Sequence, residues 1–284
     1  MRFIRFEDAR GVGLAIEANG LAKGLRESDA GFPGTLAALV GKGRKALIEA
    51  GEKLASAPAV DLANAKFLPP FPDPRKIICV GLNYRDHSAE SGFKQPDYPT
   101  LFTRFATSLV GHGAAVVRPK VSDKFDYEGE LVAVIGQGGR HISRGAALDH
   151  VAGYSIFNDV SVRDYQFKSP QWTVGKNFDG TGPFGPAFVT ADELPAGGKG
   201  LRIQTRLNGA VMQDANTDDM VFDVATLIAT ISEAITLESG DVIVTGTPSG
   251  VGQSRKPPVF MKAGDRVEVE IEKVGVLSNM VVDE

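Results

Sequence analysis

The spacing of apolar residues changes several times along this chain, and each change predicts an element. From Arg2 to Phe6, and again from Val12 to Glu17, apolar and polar residues alternate roughly every second position ahead of the turn pair Asn19-Gly20. That pattern predicts a small antiparallel strand pair. Thr35 to Leu54 is rich in Ala, Leu, Lys and Glu with apolar residues at helical spacing, interrupted at Gly41, Gly43 and Gly51. The stretch FLPPFPDP, residues 67–74, then places four prolines in eight positions, which disfavours helix and reads as an extended connector. A boundary there gives a small N-terminal α+β domain, 1–70, and a larger domain, 71–284.

In the larger part most segments carry strand patterns. Lys76 to Gly81 reads as a strand and feeds NYRDHSAESG, where Asp86 or Ser88 would cap a short helix. Leu131 to Ile135 and Val151 to Phe157 are apolar runs of strand length, and Asn208-Gly209 between IQTRL and AVMQ is a primed-turn hairpin signal. Val224, Leu227, Ile228, Ile231 and Ile235 recur at helical spacing within 221–237, and Gly240 closes this amphipathic helix. Asp241 to Val244 is a short strand entering the glycine-rich loop TGTPSGVG, 245–252. Val267, Val269 and Ile271 alternate with charged residues in a half-exposed strand, and Gly275 separates it from a last one. Strands outnumber helices, so the fold class is α+β, mostly β.

Composition narrows the function classes. With 284 residues, 43% hydrophobic and 23% charged, the chain has the capacity for a large core and an ordinary globular make-up. A net charge of −4 without any Lys/Arg cluster argues against a nucleic-acid partner. The single cysteine, Cys79, lies in the apolar run 77–80 and excludes an intramolecular disulfide framework and a cysteine-built zinc site. The opening stretch MRFIRFEDARGVG lacks the continuous apolar core of a secretory signal, and no apolar run approaches the ~20 residues of a membrane span. A cytoplasmic protein with no membrane partner is the expectation.

Candidate chemistry concentrates in 125–164. Glu128 and Glu130 flank Gly129 at the start of an apolar strand, so a period of two points both carboxylates to one face. Asp159 follows the second apolar run, and pairing the two runs in one sheet would bring the three acids together. Clustered carboxylates repel unless a cation sits among them, and an all-oxygen set suits a hard ion such as Mg²⁺ or Mn²⁺. The same spacing also fits a solvated strand face and a turn aspartate. His87 and Glu90, three apart on the short helix, are either a surface pair or an imidazole base oriented by a carboxylate. Arg104, inside PTLFTRFATSLV, either snorkels or awaits a substrate carboxylate. Lys176, in the glycine- and proline-rich VGKNFDGTGPFGP, is either solvated or placed to neutralise enolate charge. The loop 245–252 lacks the nucleotide P-loop pattern, and its N–H groups and hydroxyls are suited to an anion.

Four stretches in order, VGLNYRDHSAE, FDYEGELVAVIG, GKNFDGTGPFGP and GDVIVTGTPSGVG, resemble the fumarylacetoacetate hydrolase family, and the resemblance spans Lys76 to Glu284. It implies a mixed β-sheet roll as catalytic domain, a homodimer, and Mg²⁺ or Mn²⁺ in the site. Motif by motif, it implies Glu128, Glu130 and Asp159 as metal ligands, Lys176 beside the metal, and His87 with Glu90 as the dyad that activates water. Thr247 and Arg104 fall where the family places substrate contacts, and Tyr84 and Gln171 are assigned with them to substrate binding. Some members carry a fourth acidic ligand shortly before the histidine. Here CVGLNYRDH is without an acid until Asp86, so three carboxylates completed by water or substrate oxygens are expected.

The family works on 2-oxo acids and 1,3-diketones. The resemblance therefore implies a hydrolase that cleaves a C–C bond in an acylpyruvate- or fumarylacetoacetate-like substrate, as in aromatic catabolism, and the H-x-x-E dyad favours hydrolysis. The same enolate forms when CO₂ leaves or when a proton moves. An oxaloacetate-type decarboxylase and a 2-hydroxyhepta-2,4-diene-1,7-dioate-type isomerase are thus the alternatives, and a noncatalytic protein binding metal and small acids is the most distant one.

Overall fold

The computed structural model describes residues 1–284 apart from Asn19 and Phe93, and in it the strand patterns become two main sheets. The larger, eleven-stranded sheet has as its main path Leu21–Arg26, Gly11–Ala18, Arg2–Asp8, Gly182–Thr190, Val151–Asn158, Gly129–Ile135, Val242–Val244, Ile77–Gly81 and Thr100–Arg104. Val242–Val244 and Ile77–Gly81 run parallel, and the other neighbours on that path are antiparallel, so the sheet is mixed as expected. The second sheet has five strands, ordered Ala210–Asn216, Arg202–Leu207, Arg266–Ile271, Gly275–Asp283 and Val116–Arg118.

Gly129–Ile135 is the strand that positions the site. It has a partner on each side and all seven of its residues are buried, which is why its sequence is a continuous apolar run rather than an alternating one. Leu131, Ala133 and Ile135 pack with Ile203, Val269 and Leu277 of the second sheet and with Leu227 and Ile231 of the helix Val224–Ala234. Val132 and Val134 share the other core with Phe184, Phe188 and the N-terminal residues Leu39, Leu47 and Leu54. By the same period of two, Glu128 and Glu130 belong to this second side, at the strand's beginning.

The N-terminal segment is joined to the larger sheet by hydrogen bonds. Arg2–Asp8 pairs with Gly182–Thr190 in the register Arg2 to Val189 and Phe3 to Phe188. The predicted helical stretch forms two helices, Leu36–Gly41 and Arg44–Ala55, separated at Gly43 with φ 88°. Gly51 does not interrupt the second helix. Its missing side chain admits Met1, whose Sδ would lie 2.2 Å from a Cβ at that position.

The hairpin at Asn208-Gly209 has φ 51° and 82° at its two central residues, as a primed turn requires. For the Asn19-Gly20 turn, Asn19 lies outside the described residues, although the flanking strands Gly11–Ala18 and Leu21–Arg26 do pair. The short helix is Arg85–Glu90, and neither expected residue caps it. Tyr84 occupies the N-cap, Asp86 sits in the first turn, and the buried Ser88 hydroxyl donates to the carbonyls of Leu82 and Tyr84. No helix among the described residues is long and apolar enough to cross a membrane.

Candidate active site

Antiparallel pairing of Gly129–Ile135 with Val151–Asn158 sets Gly129 opposite Asn158, and the amide of Asp159 donates to the carbonyl of Glu128 at 2.8 Å. The pairing inferred from the two apolar runs therefore exists, and its consequence follows. Glu128, Glu130 and Asp159 each direct a carboxylate oxygen to one place, all within 4.8 Å of one another and all buried.

Three cations surround these acids. Lys176 Nζ donates to Glu128 Oε2 at 2.7 Å and to Asp159 Oδ2 at 2.6 Å. Arg104 Nη1 donates to Asp159 Oδ1 at 2.6 Å, and Arg163 Nη1 lies 2.6 Å from Glu128 Oε1. Burial opposes ionisation of Glu128, but Lys176 and then Arg163 outweigh it and hold its carboxyl at about 2. Burial likewise opposes the charge of Lys176, and Asp159 and Glu128 overcome it, so that its pKa is raised.

Glu130 is different. It is 2% exposed, it accepts a hydrogen bond from the Gly246 amide, and it forms no ion pair among the described residues. Burial, then the charges of Asp159 and Glu128, push its pKa well above 4.5. A buried carboxylate without a cation among the described residues, next to two that are ion-paired, fits a divalent metal ion. Oxygen-only donors select a hard ion of the Mg²⁺ or Mn²⁺ kind. The triad is thus compatible with a divalent-metal site.

A cavity of about 310 Å³ opens beside the acids. His87, Glu90, Glu128, Glu130, Lys176 and Thr247 line it, so six of the residues singled out from the sequence meet there. His87 Nδ1 is 2.9 Å from Glu90 Oε1, and the Glu90 carboxylate also accepts from the Gly250 amide at 2.9 and 3.0 Å. The imidazole is thereby held by a carboxylate that is itself held.

Four others take different places. Asp159 lies behind the wall, fully enclosed. Arg104 is also enclosed, its guanidinium committed to Asp159, the Val160 carbonyl and the hydroxyls of Thr181 and Ser108. Tyr84 is 2% exposed with a hydroxyl that has no partner among the described residues, and Gln171 is exposed; neither lines this cavity. Thr247 is on the wall, but its hydroxyl donates to the Gly129 carbonyl and accepts from Gln213.

The loop after Val244 binds anions in an unexpected sense, because they are the chain's own. Gly246 N–H serves Glu130, Gly250 N–H serves Glu90, and the amides of Gly252 and Gln253 serve Asp126. Buried and half-buried carboxylates need donors, and a glycine-rich turn offers them from the backbone. Sequence reasoning also missed Arg163 and Gln166, which line the cavity from the short helix Arg163–Gln166. Their signal was an R-x-x-Q pair at helical spacing, beginning four residues after Asp159. Phe102, Phe167 and Trp172 give the cavity an aromatic side, for which no periodic pattern existed.

A sequence profile described as the fumarylacetoacetate (FAA) hydrolase C-terminal region matches residues 76–282. The chain belongs to the fumarylacetoacetate hydrolase family. Among relatives of this family, a mitochondrial oxaloacetate tautomerase of Homo sapiens is 43% identical over 289 residues, covering 99% of this chain and 92% of the relative. An oxaloacetate tautomerase of Bacillus subtilis is 43% identical over 224 residues, 78% of this chain and 74% of its own. A solved fumarylacetoacetate hydrolase from the psychrophile Exiguobacterium antarcticum superposes with a TM-score of 0.87 at 37% identity, covering 100% of both chains. The fold is therefore the α+β, mostly-strand fold of the fumarylacetoacetate hydrolase family along the whole chain.

Proposed function

We propose that this fumarylacetoacetate hydrolase family enzyme is a tautomerase of a small 2-oxo dicarboxylic acid of the oxaloacetate kind, moving a proton between carbon 3 and the 2-oxo oxygen. The observation that carries this reading is the 43% identity, along nearly the whole chain, to a relative named an oxaloacetate tautomerase. It displaces C–C hydrolysis, the expectation from the dyad, in favour of the proton-moving alternative.

The side chains on the cavity wall suit that reaction. Glu90, fixed by the Gly250 amide, accepts from Nδ1–H of His87, which leaves Nε2 as the basic nitrogen facing the cavity. Nε2 takes the proton from carbon 3 and returns it to the oxygen, so keto and enol forms interconvert without a water being consumed. Lys176, its donors engaged by Glu128 and Asp159, acts through its charge beside the growing enolate. A divalent ion held by Glu128, Glu130 and Asp159 would supply Lewis-acid polarisation of the 2-oxo acid. Hydrolysis would use the same dyad on a water instead.

The test is enol-to-keto conversion of oxaloacetate, followed by loss of enol absorbance with Mg²⁺ or Mn²⁺, beside an acylpyruvate assay with products identified by mass. We expect conversion well above the metal-only control, lowered about 10²–10⁴-fold in Glu90→Gln. Release of pyruvate and a free acid from the acylpyruvate without that conversion would return the reading to a hydrolase, and enzyme-dependent CO₂ release would make it a decarboxylase.

A further inference from the structure

Asp126 stands outside the cavity wall, fully enclosed, yet both of its carboxylate oxygens are engaged. Oδ1 accepts from the amides of Tyr127 at 2.9 Å and Gly252 at 2.8 Å. Oδ2 accepts from the amide of Gln253 at 2.9 Å and from Arg163 Nε at 2.8 Å. The other end of the same guanidinium reaches the site, with Arg163 Nη1 at 2.6 Å from Glu128 Oε1 and donating to Gln166 Oε1 at 2.9 Å. Gly252 permits this approach, because a Cβ there would fall 1.8 Å from the Val259 carbonyl oxygen and 2.6 Å from Asp126 Oδ1.

A guanidinium is a rigid planar fork, and this one is divided between two carboxylates. Were Asp126 replaced by a neutral side chain, Arg163 would keep Glu128 and the Gln166 side chain as its partners among the described residues, both on the site side of the fork. The fork would turn onto Glu128, neutralising that carboxylate more fully and altering its rotamer. We propose that Asp126 is a positioning residue: through Arg163 it fixes the orientation and the remaining negative charge with which Glu128 meets a divalent cation. The same carboxylate anchors the backbone of Gln253, a cavity-lining residue, to the same point. This inference rests on the metal reading of the Glu128, Glu130 and Asp159 cluster.

The experiment titrates Mn²⁺ into the metal-free full chain by electron paramagnetic resonance, with thermal unfolding as the check on folding. Wild type is compared with Glu130→Gln, Asp126→Asn, Arg163→Met and the Asp126→Asn/Arg163→Met double variant. Outer partners of metal ligands typically change metal affinity about 10–100-fold, so that loss is expected for Asp126→Asn, with little further change when it is added to Arg163→Met. A purely structural Asp126 would lower Tm and leave Mn²⁺ affinity alone. If wild type does not bind Mn²⁺, or binds it equally after Glu130→Gln, the metal reading itself fails. If wild type binds through Glu130 while folded Asp126→Asn binds as tightly, or loses the same factor without Arg163, the positioning role is overturned. Should Asp126→Asn not fold, Arg163→Lys decides: a lysine keeps the charge but cannot span both carboxylates, and unchanged Mn²⁺ affinity would refute the proposal.

Discussion

Glu130 bears a cost that its neighbours escape. Lys176 serves Glu128 and Asp159, Arg104 serves Asp159, Arg163 serves Glu128, and among the described residues Glu130 has one backbone N–H. Its raised pKa means that the folded, metal-free chain holds a proton there which the unfolded chain releases above about 4.5. The stability gained this way is complete below that value and is lost as pH rises through the folded pKa. Glu130→Gln should therefore flatten this fall and stabilise the metal-free protein at pH 8 by about 1–3 kcal/mol, while abolishing any rise of Tm on adding Mn²⁺. Thermal unfolding across pH, with and without Mn²⁺, measures both, and a metal-free Tm unmoved by the substitution would mean that the charge is already compensated. The position of Glu130 was legible in the E-x-E spacing. Its lack of a cation was not, because the partners of the other two acids come from 17 and 48 residues away and farther.

At the scale of the element, the strand Gly129–Ile135 presents ligands on one face and packs the second sheet with the other. Gly129 sits between the two glutamates on the packed face, where a Cβ would lie 2.3 Å from Thr205 Oγ1 and 2.9 Å from Val269 Cγ1. Both neighbours belong to strands of the second sheet, Arg202–Leu207 and Arg266–Ile271, which cannot yield independently. Gly129→Ala should cost about 1–3 kcal/mol by overpacking. Because the backbone it displaces carries Glu128 and Glu130, Mn²⁺ affinity should fall with it. Denaturant unfolding and the Mn²⁺ titration read the two effects, and a stability loss with unaltered Mn²⁺ affinity would separate packing from the site.

Across the whole molecule, residues 1–70 are joined to the rest of the chain through the sheet and the core. Arg2–Asp8 pairs with the end of the strand Gly182–Thr190 at Val189 and Phe188, and Leu39, Leu47 and Leu54 share a core with Phe184, Phe188 and Val132. A chain starting at residue 71 would leave that strand with an unpaired edge at Phe188 and Val189 and strip the cover from Phe184 and Phe188, a template for association. We expect it to aggregate or to unfold at a much lower temperature than the full chain, measured by light scattering and thermal unfolding. A soluble 71–284 chain with the full-length Tm would establish it as an autonomous domain.

The sequence by itself determined the periodic and the local. Strand runs, the helix Val224–Ala234, the Asn208-Gly209 hairpin and the E-x-E geometry depend on neighbours a few residues apart, and the same is true of His87 with Glu90. The four ordered motifs carried the family as well. Only the tertiary structure decided which cations neutralise which acids, that Arg104 is spent behind Asp159, that Arg163 and Gln166 reach the cavity, and that the loop amides hold Glu130, Glu90 and Asp126. Those partners lie in distant elements, and charge pairing, unlike hydrophobic spacing, leaves no period in the chain from which they could be read.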